Sequence, residues 1–296
     1  MTFKLTIKRS IPALALLAIG LGGFAACGED DGNDRGQATP KKSTPNKVTV
    51  TATEAGKRSR LSVPKSAPAG LVTIELENRG NAFHEAQLIR LEAGHTPEEA
   101  LKVIAAEGAP SPGWIRAAGG TGPAPPGGST SATQQLRPGK YIVYDAPFQN
   151  QGQGLQFGVA SFEVKGEAGA SGLPTGSAKV EAYEYGFTAS GLRTGNNTIE
   201  FSNTGKEPHH LIAVPYKPGA TLGAVRKAFR RGQTGAEPPL DFEHTSYSAR
   251  IDGGTKQITE LQLDKPGKYA LLCFVSDRKG GPPHVAQGMI AEATVR

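Results

Sequence analysis

Cysteine, methionine and tryptophan are almost missing from this 296-residue chain, which has two, two and one of them. Two cysteines, Cys27 and Cys273, cannot build a multi-disulfide framework or a four-cysteine zinc site. The longest apolar run, Ile11 to Leu21, is interrupted by Pro12 and Gly20 and is too short for an ordinary membrane span. There is no Gly-x-Ser-x-Gly, no His-Glu-x-x-His and no phosphate-cradling glycine loop. No basic stripe interleaved with aromatics occurs either, so a nucleic-acid partner is excluded. What the chain has in quantity is 39 Gly and 22 Pro. Residues that break helices this often exclude a coiled coil or helical bundle, and the length suits about two domains.

One cysteine belongs to the N-terminus. Lys4, Lys8 and Arg9 precede the apolar run, and Gly22, Gly23, Phe24, Ala25 and Ala26 lead to Cys27. A basic start, a short apolar stretch and small residues read as a secretory signal peptide over 1–26. The ending resembles the lipobox of bacterial lipoproteins, which implies a lipid on Cys27 as the mature N-terminal residue. Phe24 departs from that pattern, where Leu usually stands, and simple secretion with Cys27 free is the alternative. Residues 27–46 are Gly, Pro, Asp, Lys, Ser and Thr with nothing to bury, and read as a disordered tether. Loss of Lys4, Lys8 and Arg9 lowers the basic count from 33 to 30 against 27 acidic residues, a mature charge of +3 instead of +6. The expected location is the outer face of the cytoplasmic membrane or the periplasm, held to the membrane by the lipid.

The remainder is one unit written twice. Thr73-Ile-Glu75, Asn78, Gly80 and His84 recur 125 residues later as Thr198-Ile-Glu200, Asn203, Gly205 and His209. Pro138-Gly-Lys-Tyr141 recurs as Pro266-Gly-Lys-Tyr269 at an offset of 128. Such self-similarity marks an internal duplication. Each copy alternates apolar and polar residues over short stretches bounded by Gly, Pro and Asn, the pattern of a β-sandwich. Expected strands cover 47–53, 59–63, 70–78, 84–91, 132–136, 139–145 and 158–164, then 178–187, 196–203, 209–215, 256–263, 267–274 and 288–295. A short helix interrupts each copy, opened by Thr96-Pro97-Glu98-Glu99 as a capping box and, in the second, by Thr221. The expected division is 47–164, a linker over 165–177, and 178–296. The segment 108–131, around the single Trp114, reads as a loop of no assigned role.

The second copy gathers metal-ligating residue types. Cys273 ends an apolar strand, a loop leads to His284, and Met289 follows; Glu207-Pro208-His209-His210 lies far upstream. One thiolate and two imidazoles in a trigonal plane with a weak axial thioether is the blue-copper set. A lone strand cysteine is more often a buried small hydrophobe. Export weighs against that here, because an unpaired exported thiol is a liability unless buried or ligated. Met289 is the only methionine left in the mature chain. Neighbours on a strand face opposite ways, so only one of His209 and His210 can ligate. The repeat alignment with His84 and the preceding Pro208 favour His209.

At these residues the chain resembles the cupredoxin family. The likeness rests on Asn203-x-Gly205-x-x-x-His209, Pro266-Gly-x-Tyr269-x-x-x-Cys273 and His284-x-x-x-x-Met289, and covers both copies. It implies an all-β fold of two tandem Greek-key β-sandwiches, each with a helix insert. It also implies one copper ion in the second copy, with His209, Cys273 and His284 equatorial and Met289 axial. Ten residues separate Cys273 from His284, more than in compact plastocyanin-like loops. In the first copy Asp145 stands where Cys273 stands and Gly158 falls near the Met289 position. That copy therefore reads as a metal-free spacer or docking surface, with His84 hydrogen-bonded in a strand.

His95 and His244 read as solvated, a metal role for His244 with Asp241 and Glu243 being the lesser alternative. Arg226, Lys227, Arg230 and Arg231 form a basic cluster that fits an acidic partner or anionic lipid, or a solvated helix end. Multicopper oxidases need paired His-x-His motifs, which are missing, so no enzyme activity is expected. The leading expectation is an exported, membrane-tethered electron carrier, electrons passing through the edge of His284 to an unknown redox partner. The alternative is a lipoprotein that sequesters copper or docks a partner without redox turnover.

Overall fold

The computed structural model describes residues 44–105, 110–147, 156–169, 171–230 and 237–296. The signal peptide, Cys27 and nearly all of the tether lie outside them. No helix among the described residues is long and apolar enough to cross a membrane.

The first copy supplies β1 (Asn46–Ala55), β2 (Arg58–Ser62), β3 (Ser66–Pro68), β4 (Gly70–Asn78), β5 (His84–Leu91), α1 (Pro97–Ala105), β6 (Ile115–Ala124), β7 (Ser129–Leu136), β8 (Gly139–Asp145) and β9 (Gly158–Lys165). The second supplies β10 (Ala178–Tyr183), β11 (Gly186–Ser190), β12 (Gly195–Asn203), β13 (Ile212–Pro215), α2 (Leu222–Phe229), β14 (Ser246–Tyr247), β15 (Thr255–Leu263), β16 (Gly267–Leu272) and β17 (Ile290–Val295). The fold is all-β with one short helix per copy, as the alternation implies. In β1, Val48, Val50 and Ala52 are buried while their neighbours are not, and in β12 Ile199 and Phe201 repeat the pattern. A strand's two faces differ because successive side chains point to opposite sides.

The shared motifs do the same work twice. Asn78 Nδ2 donates to Ala82 O at 2.8 Å while its Oδ1 accepts from Gly80 N at 2.9 Å. Asn203 closes the equivalent turn on Glu207 O (2.8 Å) and Gly205 N (3.0 Å). A buried amide paired on both sides fixes the turn that delivers His84 or His209. Gly80 and Gly205 leave room for the carboxylates of Glu54 and Glu184, which a methyl there would displace. In the Pro-Gly-Lys-Tyr motif, Tyr141 OH donates to Arg137 O (2.9 Å) and Tyr269 OH to Lys265 O (3.0 Å). Each tyrosine so ties its strand's start to the preceding corner.

Several expectations need correction. Segment 108–131 is not a plain loop: it contains β6, which pairs with β5 and packs at the junction of the copies. The expected strand 178–187 is a hairpin, β10 and β11. The expected strand 209–215 is ordered as a ladder only from Ile212, His209 making an isolated bridge to Ile251. Asn46, assigned to the tether, opens β1. His95 is not simply solvated, since it stacks on Trp114 with ring centroids 4.0 Å apart. The capping box is present: Glu99 N donates to Thr96 Oγ1 (3.2 Å) and Thr96 N to Glu99 Oε2 (2.9 Å). Thr221 caps α2 in the same way through Ala224 N at 3.2 Å.

The copies share a sheet. The order β11-β10-β12-β15-β7-β4-β1-β2 runs through both, joined where β15 pairs antiparallel with its repeat counterpart β7. A five-stranded sheet β3-β9-β8-β5-β6 in the first copy and a four-stranded sheet β14-β13-β16-β17 in the second complete the two sandwiches. At the seam the buried Gln134 and Gln257 stand opposite each other, and both carbonyls accept from Gly120 N, at 2.9 and 3.2 Å. Sequence periodicity carries no sign of this join, because a strand edge pairs through backbone groups that every residue has.

Candidate metal centre

His209, Cys273 and His284 come together at one end of the second sandwich. The backbone of His209 is held by Ile251, donating to and accepting from it at 3.0 and 2.9 Å. Cys273 follows the last residue of β16, and the returning chain is pinned to it: Val285 N donates to Cys273 O (2.7 Å) and His284 N to Val275 O (2.8 Å). His284 opens a single 3₁₀ turn, His284–Gln287, ended by Gly288 at φ 101°, and Met289 N returns to His284 O at 2.9 Å. All four side chains are fully buried, and Met289 shares a core cluster with Cys273.

The donor atoms face one another. His209 Nδ1 and His284 Nδ1 are 3.0 Å apart, and Cys273 Sγ lies 3.7 and 3.5 Å from them. These three separations place one point about 2.0 Å from all three atoms, the length of a metal–imidazole bond. The outer nitrogens explain why the inner ones are free to ligate. His284 Nε2 is 3.0 Å from Asp277 Oδ1, and Asp277 also accepts from Tyr185 OH at 3.0 and 3.1 Å. A proton held at Nε2 leaves the Nδ1 lone pair pointing inward. His209 Nε2 faces Glu184 Oε1 at 3.5 Å, while that carboxylate accepts from Glu207 N at 2.8 Å. In the metal-free protein one imidazole can donate to the other across the 3.0 Å between the Nδ1 atoms, His209 Nε2 having no hydrogen-bond partner. Two imidazole nitrogens and a thiol converging on one buried point fit a metal ion, and the donor set resembles that of a type 1 copper site.

Burial sets the protonation states. It pushes the Cys273 thiol up to about 12. It lowers His209 to about 4, the neighbouring His284 charge adding to the effect, and lowers His210 to about 3. His284 is lowered too, burial outweighing the opposing charge of Asp277. The imidazoles are thus neutral and ready to donate, while the thiol needs a cation to ionise.

His210 faces away from this cluster and accepts from Phe274 N at 2.8 Å through Nε2. His244 sits in an ion-paired group with Asp241 (2.8 Å) and Lys265, not in a metal cluster. Of the basic patch, Arg226 donates to Ile290 O at 3.2 Å, and Arg231 lies outside the described residues. The expectation that the edge of His284 reaches the surface is corrected: the ring is fully buried, with Tyr185 packed against it at 5.1 Å.

The first copy shows what replaces the cluster. His84 Nδ1 lies 2.6 Å from Asp145 Oδ2 and its Nε2 lies 2.9 Å from Glu54 Oε1, with Ser59 donating to the same Asp145 oxygen. Burial opposes protonation of His84, but the two carboxylates outweigh it and raise its pKa. With both ring nitrogens occupied, no lone pair is free for a metal. Asp145, at the cysteine's place, closes the site internally.

Glu184, Tyr185 and Asp277 were not singled out from sequence. A signal existed for the first: Glu54-Ala-Gly56 recurs as Glu184-Tyr-Gly186, a third block of the duplication. Asp277 carries none, since a loop carboxylate reads as solvated until the fold sets it against His284.

No protein-family model matches the chain, and no curated protein matches it. Solved structures do. A copper nitrite reductase from Thermus scotoductus SA-01 matches 86% of this chain at 13% identity and TM-score 0.23, and the chain spans 62% of that protein's length. A copper nitrite reductase from Nitrosomonas europaea matches 86% of this chain and 94% of its own at 13% identity and TM-score 0.24. An auracyanin from Roseiflexus castenholzii matches 40% of this chain and 94% of its own at 25% identity and TM-score 0.25. These are cupredoxin-fold proteins, in keeping with the tandem cupredoxin-like architecture described above. Likenesses at such TM-scores assign no activity. The expectation that the chain is no enzyme is corrected, because the neighbours include copper nitrite reductases, which are enzymes.

Proposed function

We propose that this is an exported copper protein that moves single electrons through a type 1 centre in its second copy. His209, Cys273 and His284, with Met289 beside them, would hold the ion. The observation that carries this reading is the buried, inward-facing pair of Nδ1 atoms 3.0 Å apart beside Cys273 Sγ. Bound there, copper would supply a Cu(II)/Cu(I) couple. The chain's own contribution is to hold the donors fixed and dry. Asp277 and the turn at His284 set one imidazole, and the Asn203 turn and the bridge to Ile251 set the other. Full burial excludes water from the donor atoms. Donors that need not move between oxidation states keep the reorganisation on electron transfer small.

Export and membrane tethering form part of the proposal and rest on the signal-like N-terminus and Cys27. The test of the copper reading is titration of residues 28–296 with Cu(II). An intense visible thiolate-to-copper absorption should develop and vanish in Cys273→Ser, and a protein that binds copper without that band overturns the assignment. For the tether, labelled fatty acid should enter the expressed full chain and be lost in Cys27→Ser.

A further inference from the structure

We propose that the first copy positions the ligand loop of the second, and that Arg278 is the residue through which it does so; this rests on the copper reading above. The loop between Cys273 and His284 contains Gly280 and Gly281, both at positive φ, and Pro282-Pro283. Within it Ser276 bridges to Pro283, Gly280 N donates to Asp277 O at 2.8 Å and Ser276 Oγ to Gly281 O at 3.1 Å. A segment of this length and composition loses much conformational entropy when ordered, so contacts from outside add to the few within it.

Arg278 provides that hold. Its Nη1 donates to Ile115 O at 2.9 Å, at the start of β6, and to Pro112 O at 3.3 Å, in the segment just before it in the first copy. Its Nη2 donates to Asp252 Oδ1 at 2.5 Å, and its carbonyl accepts from Ser111 N at 2.8 Å. Asp252 is itself tied to the first copy, exchanging hydrogen bonds with the backbone of Ala117. The clamp also reaches the turn that leads to the other ligand, because Arg278 N donates to Glu207 Oε2 at 2.7 Å. A cavity of about 290 Å³ lies between the loop and the first copy, with Arg278, Asp252 and Ile115 among its lining.

The residue next to Arg278 is Asp277, whose carboxylate orients His284 through Nε2. Fixing Arg278 therefore fixes the backbone from which Asp277 reaches the ligand. A guanidinium can serve two carbonyls and a carboxylate at once, whereas a lysine ammonium is a single point of attachment. This gives a function to a copy whose own site is closed by Asp145.

The test uses residues 28–296 with Arg278→Ala and Arg278→Lys. Hydrogen exchange of the metal-free protein should speed up at 275–283 by at least about tenfold in Arg278→Ala, while β4 and β12 keep their protection. Arg278→Lys should fall between, and it carries the test by the same criterion if Arg278→Ala does not fold. After Cu(II) loading, the thiolate-to-copper band of both variants should differ in position or intensity from that of the parent. Unchanged loop exchange overturns the clamp whatever the metal does. Faster exchange with an unaltered band overturns the positioning role and leaves Arg278 a merely structural contact. Faster loop exchange in Arg278→Ala together with no band in the parent protein sinks the copper reading and with it the positioning of a ligand, while the clamp itself stands.

Discussion

Metal binding should release about one proton at pH 8 and, with His284 lowered too, fewer than two at pH 5.5, a count dictated by burial of the donors. The thiol of Cys273 is pushed up to about 12, so it is protonated across this range and must lose its proton to ligate. At pH 7 that lies five units below its pKa, so ionisation costs on the order of 7 kcal/mol, which the metal–sulfur bond has to exceed. His209, at about 4, is neutral in more than nine-tenths of molecules even at pH 5.5 and has almost no proton to give. Two histidines at the ordinary value would each contribute roughly 0.9 of a proton at pH 5.5, for a count near three. Calorimetric titration with Co(II), which a thiolate does not reduce, in buffers of different ionisation enthalpy measures the number directly. Apparent affinity should rise about tenfold per pH unit near pH 8 and somewhat more steeply toward pH 5.5. A count near three at pH 5.5 would refute the reasoning by showing solvated imidazoles. A count near zero at pH 8 would refute it from the other side, by showing a thiolate already formed.

Other perturbations test other links. Gly122→Ala places a methyl against the carbonyl of Tyr247 across the seam between the copies, and should destabilise the protein by about 1–3 kcal/mol in chemical denaturation. Asn203→Ala strips partners from Glu207 O, Ile251 O and Gly205 N, and should cost about 1–3 kcal/mol while weakening metal binding through His209. Met289→Leu keeps the buried volume, so the metal-free melting point should correspond to a loss below about 1.5 kcal/mol while the copper spectrum shifts. Acidification of the metal-free protein from pH 6.5 to 5 should lower its melting temperature. His209 and His210 titrate at about 4 and 3 when folded, below their ordinary value, so the unfolded chain takes up protons that the folded chain refuses. Each such histidine contributes up to about 1.4 kcal/mol per pH unit. His84 acts oppositely: raised when folded, its contribution is complete below its ordinary value and is lost as pH rises, so it does not mask the acid effect.

Much of the site was legible because the ligands sit in local motifs. Asn203-x-Gly205-x-x-x-His209 encodes a turn closed by one amide, and the duplication separated motif from accident by repeating it around His84. The same comparison showed Asp145 in the place of Cys273, and the structure supplies the reason this matters: the carboxylate accepts from His84 Nδ1 and holds a proton there, leaving that nitrogen no lone pair. Trp114 and the segment around it were opaque. β6 is rich in Gly and Ala, and its burial pattern follows the seam on which it lies, not a period of its own.

The sequence by itself determined that the chain is two copies of one all-β unit, which residues could ligate a metal, and that only the second copy has them. Those properties reside in periodicity, turn chemistry and residue identity, which act over a few neighbours. Only the tertiary structure decided that the copies share an eight-stranded sheet, that His284 is shut away from solvent, and that Asp277 meets His284 while Arg278 meets the first copy. Strand edges, covering rings and a guanidinium reaching backbone carbonyls some 160 residues away depend on which surfaces meet. No local pattern along the chain records that meeting.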